Sequence, residues 1–184
     1  MALFENSVEI VLSNEGGFVD NPHDSGGATN FGLSLRFLRQ LSLETLRKYG
    51  IFVAPEDLNV EHVKELTLDQ AKNIYKGEFW DNAPYEKITI QKVADYIFDM
   101  AVNHGEHQAI KIAQRAIWAS YAAINVIKDD GIFGDETLVA IDYLQGHILP
   151  CLRSERAGFM RLLAVKISKD EEFLNGWLNR CYRI

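Results

Sequence analysis

The 184 residues, 47% hydrophobic and 24% charged, suffice to bury a core in one domain or two small lobes, and they carry a formal net charge of −7. That balance, without any Lys/Arg-rich run, argues against a nucleic-acid binder, whose affinity comes largely from basic patches on phosphates. No run of about eighteen apolar residues exists, so no membrane insertion is expected.

Phe4, Val8, Val11 and Leu12 make a helical stripe that delivers Glu15 just past its last turn. The segment from Met1 to Ser13 carries Glu5 and Glu9 and no Lys or Arg, unlike a secretory signal peptide, so the expected product is synthesised in the cytoplasm. From Glu15 to Leu33 the chain reads Glu-Gly-Gly-Phe-Val-Asp-Asn-Pro-His-Asp-Ser-Gly-Gly-Ala-Thr-Asn-Phe-Gly-Leu, with five of the chain's 13 glycines. Such density lets backbone approach a ligand, while Phe18, Val19, Phe31 and Leu33 demand burial; an ordered loop or small β-hairpin closing a cleft is predicted.

Glu15, Asp24 and Thr29 suit glycoside hydrolysis. A desolvated carboxyl at Glu15 would hold its proton for the leaving oxygen, and an ionised Asp24 in a wet loop, with the Thr29 hydroxyl, would hold a water on the opposite face. Read as residue types alone, the same segment is equally a Gly-rich turn with two solvated acids. The whole Glu15–Leu33 stretch resembles the signature of the glycoside hydrolase family 108 N-acetylmuramidases, and the Glu, Asp, Thr order resembles the active site of phage-type lysozymes. Phe18 and Ser25 stand where the family more often has Tyr and Pro. The resemblance implies a mainly α, lysozyme-like fold of about eight helices. It also implies a peptidoglycan hydrolase, phage endolysin-like, acting on glycan strands with Glu15, Asp24 and Thr29 catalytic; a lytic transglycosylase using the same Glu15 and a catalytically silent cell-wall binding module are the alternatives, and Phe18 is a candidate for substrate binding. No cofactor is expected, and no metal, since Asp20, His23 and Asp24 lack a fourth ligand at plausible spacing; without a signal peptide, a holin or secretion route is expected to bring the enzyme to the cell wall.

Further along, Ser34 reads as a helix N-cap and Gly50 as the residue after a helix end, with Ser42 dividing the span. Asn59 caps a short helix, and Thr67 with Gln70 forms a capping box opening a helix to Phe79. That helix ends in Trp80 and Tyr85, which either stack on sugar faces or plug the interior. Thr89 to Asn103 is very apolar and should be central, stopped at Asn103-His104-Gly105. Phe98 to Gly105 resembles a second family motif that puts Asn103 beside the cleft; its structural alternative is a left-handed helix end. Asp99 is either a surface acid or a buried orienting group.

After an apolar helix from Gln108 to Ala123 containing Trp118 and Tyr121, Asp129 to Asp135 lacks the register of a calcium loop and reads as a turn, with Asp135 capping a helix closed by Gly146. Pro150 opens a long helix and Asp170 a last one, with Trp177 in the core and Arg180 as a buried or capping cation. The Asp-Gly-x-x-Gly-x-x-Thr pattern and Gly176-Trp177 resemble the peptidoglycan-binding region of family 108 proteins. Residues 1–88 are thus expected as the catalytic lobe and 89–184 as a helical binding lobe, with Ala83 to Thr89 the softest boundary. Cys151 and Cys181 lack metal-ligand spacing and read as buried thiols or as a disulfide in an oxidising compartment.

Overall fold

The computed structural model describes residues 1–14, 16–20, 27–120, 127–166 and 171–183. The elements are α1 (Phe4–Asn14), the antiparallel pair β1 (Thr29–Asn30) and β2 (Leu33–Ser34), α2 (Leu35–Leu38), α3 (Leu43–Lys48), α4 (Val60–Lys64), α5 (Leu68–Glu78), α6 (Gln91–His104), α7 (Glu106–Ser120), α8 (Asp135–Leu144), α9 (Leu149–Lys166) and α10 (Glu171–Arg183), joined by short 3-10 turns. The protein is mainly α with a small hairpin near its N-terminus, as the sequence predicts. No helix among the described residues is long and apolar enough to cross a membrane. Asp170, the expected start of the last helix, and Tyr121 and Ala123, the expected end of the helix that begins at Gln108, lie outside the described residues.

Two compact units divide the chain: one is Met1–Ile10 with Phe79–Ile184, the other Val11–Glu78. In Val11–Glu78 the helix starts are set by local side chains. Ser34 Oγ accepts from Phe37 N at 3.1 Å, and Ser42 Oγ accepts from Thr45 N at 3.1 Å, so Ser42 does divide the span into α2 and α3. Asn59 Oδ1 accepts from Glu61 N, and His62 Nδ1 accepts from Asn59 N, closing a capping box. Thr67 and Gln70 close another before α5, with Thr67 N donating to Gln70 Oε1 at 2.9 Å and Gln70 N to Thr67 Oγ1 at 3.2 Å. Each cap satisfies amides that the first helical turn would leave without partners. Gly77 lies inside α5 because a Cβ there would run into the Tyr49 phenol, whose hydroxyl donates to Glu78 Oε1 at 2.6 Å.

In the other unit α6 is central: every residue from Val93 to Ala101 is buried, so no face of the helix meets solvent along that stretch. Phe4, Trp80, Tyr85 and Phe98 pack edge to face or tilted, with ring centroids 5.2–6.3 Å apart, and Phe133 adds to Tyr85 at 5.9 Å. In the segment Ala83–Thr89, Tyr85 and Ile88 are fully buried. The first residues are tied here too: Ala2 N donates to Glu86 O at 3.2 Å, Leu3 N to Gln91 Oε1 at 2.7 Å, and the buried Ser7 Oγ to Asp95 Oδ1 at 2.6 Å. At the C-terminal end Phe159, Leu163, Leu174, Trp177 and Leu178 pack on Ala157, Met160 and Cys181.

Two local readings at α8 are corrected, and the cysteines take the first of their two readings. Gly134, in extended backbone, is the N-cap of α8, and Asp135 is its first residue, where a carboxylate still favours the positive helix end. The left-hand φ that ends α8 falls on Gln145 rather than Gly146. Cys151 is half-buried and Cys181 buried, and both are free thiols.

Candidate functional site

The hairpin that carries Thr29 is built from backbone geometry. Phe31 (φ 51) and Gly32 (φ 79) both occupy the left-handed region, as a two-residue hairpin turn requires, and the strands pair Thr29 with Ser34 and Asn30 with Leu33. A phenylalanine at positive φ is disfavoured, and two side chains hold the turn against that cost. Tyr75 Oη donates to Phe31 O at 2.8 Å, and the buried Asn30 donates its amide to Val63 O at 3.0 Å and Lys64 O at 3.2 Å.

Thr29 is fixed on its other side by Val19, with reciprocal backbone hydrogen bonds of 2.8 Å. Its hydroxyl donates to Gly27 O at 3.3 Å, a long bond that leaves the group easily redirected to a water. The bridge also orders the segment after Gly17, so Phe18, 37% exposed, is tethered next to Val19 with part of its ring open to solvent. Glu15 and Asp24 lie outside the described residues. Helix α1 runs to Asn14, immediately before Glu15, as the apolar stripe predicts.

Trp80 and Tyr85 do not present faces to a ligand. At 3% and 0% exposure they belong to the aromatic cluster, which is the interior role that the sequence left open beside sugar stacking. Burial raises the Tyr85 phenol well above its ordinary range, and its hydroxyl has no hydrogen-bond partner among the described residues.

Asn103 is exposed and helical, one residue before the end of α6, and the left-handed position is taken by Gly105 (φ 80). With its amide oxygen toward Arg180, Asn103 accepts from Nε at 3.1 Å and from Nη1 at 2.9 Å. Arg180 Nη2 in turn donates to Asp99 Oδ1 at 2.8 Å, and the fully buried Arg156 reaches Asp99 Oδ2 at 2.8 Å. Burial alone would raise the Asp99 pKa, but the two guanidinium groups outweigh it and hold the carboxyl below its usual range. Asp99 is therefore the buried orienting group, and Arg180 the half-buried cation. Sequence reasoning missed Arg156. Its signal was an arginine within the i, i+4 series Leu152, Arg156, Met160 and Ala164, all buried on α9.

The Asp129–Asp135 segment is a turn. Asp130 Oδ1 accepts from Ile132 N at 3.0 Å and Gln114 Nε2 at 2.9 Å, while Gln114 Oε1 accepts from Gly131 N at 2.9 Å. Beside it lies a polar pocket of about 400 Å³ lined by Lys128, Asp130, Asp135, Glu136 and Thr137 among others. Among the described residues no group of three or more His, Cys, Asp or Glu could hold a metal ion.

Comparison with known proteins gives a family and a structural relative. A family model described as Glycosyl hydrolase 108 matches residues 8–105, which run from within α1 through the hairpin to the end of α6, and one described as Predicted Peptidoglycan domain matches residues 108–182. A solved structure of Brucella abortus SagA superposes with a TM-score of 0.71 at 27% identity, covering 98% of this chain and 90% of that one. No curated protein matches. Because the first match takes in more than half of the residues, including Glu15, Asp24, Thr29 and Asn103, this chain belongs to the glycosyl hydrolase 108 family and is a glycoside hydrolase.

Proposed function

We propose that the protein is an N-acetylmuramidase that cleaves the β-1,4 bond between N-acetylmuramic acid and N-acetylglucosamine in peptidoglycan by general acid catalysis with inversion. Glu15 gives its proton to the glycosidic oxygen as charge builds on the muramic sugar. Asp24 and Thr29 hold the water that attacks the far face. The observation that carries this reading is the family match over a segment that contains Glu15, Asp24 and Thr29, whose order resembles the active site of phage-type lysozymes. The anchored Thr29, with a weakly engaged hydroxyl, supports the second role.

Residues 108–182 would keep the enzyme on its polymer, in line with the second match. Since the chain carries −7, retention would rely on pockets and hydrogen bonds rather than bulk charge. Its place of action would be the cell wall, reached through a holin or a secretion route.

Mass spectrometry of fragments released from purified peptidoglycan tests the chemistry. The expected products end in reducing N-acetylmuramic acid, carry one added water per cut, and form first as the α-anomer. Anhydro ends as the main product would replace hydrolysis with intramolecular ring closure, and Asp24 and Thr29 would then have no catalytic task.

A further inference from the structure

An asparagine amide has nearly the same shape in its two orientations, but one presents an acceptor and the other a donor. On an exposed residue such as Asn103 the choice would ordinarily be open. Arg180 removes it, because a guanidinium has donors and no acceptor: it takes the amide oxygen through Nε at 3.1 Å and Nη1 at 2.9 Å, so the NH2 group points away.

The arginine is itself held. Asp99 and Asn103 are four residues apart on α6, hence one turn apart on one face, and a single planar guanidinium from α10 spans both. Nη2 meets Asp99 Oδ1 at 2.8 Å and Nε lies 3.4 Å from Oδ2, while Arg156 fixes that second oxygen from α9 at 2.8 Å. Asp99 and Arg156 have no solvent-exposed side-chain surface. The position of an exposed amide is thus set by an ion triad of which Asp99 and Arg156 are fully buried.

We infer that Arg180 is a positioning residue for substrate binding, which turns Asn103 into a dedicated N–H donor for a neutral oxygen acceptor on the glycan, the acetamido carbonyl being the strongest of that class. The inference rests on the proposed muramidase reading and on the place beside the cleft that the family resemblance implies for Asn103. It also gives the second matched region, 108–182, a part in handling substrate, since Arg156 and Arg180 both lie there and Asn103 lies in the first.

A double-mutant cycle tests it. Dissociation constants of soluble N-acetylated glycan fragments are measured by calorimetry on the full chain carrying Glu15→Gln, so that binding is read without cleavage. Onto this background go Asn103→Ala, Arg180→Gln, and both. Each single change is expected to weaken binding about tenfold, the worth of one hydrogen bond, and the double change no more than Asn103→Ala alone. De-N-acetylated fragments should show none of these differences. Arg180→Lys keeps a cation beside Asp99 but lacks the fork, and it should weaken binding like Arg180→Gln, which also provides the readout if the glutamine variant folds poorly. Unchanged affinity in both Arg180 variants, wild-type affinity in Arg180→Lys, or an Arg180 effect of full size in the Asn103→Ala background would overturn the inference. Failure of the hydrolytic reading would show separately, as a wild-type protein that binds fragments through this cycle yet releases no reducing muramic ends.

Discussion

A glutamine at position 15 keeps the outline of the glutamate and has no proton to give to a leaving oxygen. Glu15→Gln is therefore expected to leave far-UV circular dichroism and melting unchanged and to lower wall-clearing activity by at least about a thousandfold. A folded variant that still cleared walls at a substantial fraction of the wild-type rate would remove Glu15 from the mechanism. Asp24→Asn should do less harm, roughly ten- to a hundredfold, since an electrostatic or water-orienting role leaves part of the acid-driven rate. Full activity in that variant would move the second role to another group. At this scale the sequence names candidates for chemistry and is a poor guide to exposure. Glu15, Asp24 and Thr29 stand out by residue type and by the resemblance of their order to phage-type lysozymes. Whether Trp80 and Tyr85 face a sugar or each other depends on what packs around them, and Phe4, Phe98 and Phe133 come from distant parts of the chain.

Among the elements, those with local causes were legible. Ser34, Ser42, Asn59 and Thr67 start helices through bonds to residues no more than three positions away, so the short-range pattern contains the whole interaction. The end of α8 was misplaced because the left-handed φ falls on Gln145, a residue with no intrinsic preference for it, instead of the adjacent Gly146. Gly131 shows the opposite case, a glycine with two reasons to be there. Its φ is 74, and a Cβ would meet the His107 ring and sit 2.8 Å from the His107 carbonyl oxygen. Gly131→Ala should cost about 2–4 kcal/mol, since strain and overlap with backbone add. Chemical denaturation would read this as a lower midpoint with an unchanged slope. A loss below about 0.5 kcal/mol would mean that the turn between α7 and α8 shifts freely.

For the molecule as a whole, the buried charges predict how stability responds to acid. Burial first, then the positive charge of Arg156, push His104 down to about 4, with Asp99 opposing and Arg180 adding to the shift. In the unfolded chain the same imidazole titrates near its ordinary value of about 6.5. Between those values the unfolded chain takes up a proton that the folded one refuses. This contribution is thus fully present above about pH 6.5, declines as pH falls toward about 4, and is constant below. The urea midpoint should fall between pH 7 and pH 4.5 by an amount on the order of 2 kcal/mol in stability. His104→Gln should show a smaller fall. Equal falls in the two proteins would mean that His104 ionises freely in the native state. None of this could be read from the sequence, because the shift arises where α6 and α9 bring His104 beside Phe159, at 5.3 Å between rings, in the field of Arg156.

The unit that contains α6 is discontinuous in the chain, because Met1–Ile10 belong with Phe79–Ile184 while Val11–Glu78 form the other unit. On a ribosome this sets an order of assembly. Residues 11–78 emerge as an uninterrupted run and have their partners at hand, whereas Ala2, Leu3 and Ser7 must wait for Glu86, Gln91 and Asp95 to be made. Met1–Ile10, made before the 11–78 run, are buried after it, and until then Phe4 and Val8 remain open to chaperones and to other chains. Joining the present termini and opening the chain in an exposed loop of the 11–78 unit would reverse that order, making Met1–Ile10 and Phe79–Ile184 contiguous and leaving the insertion to close last.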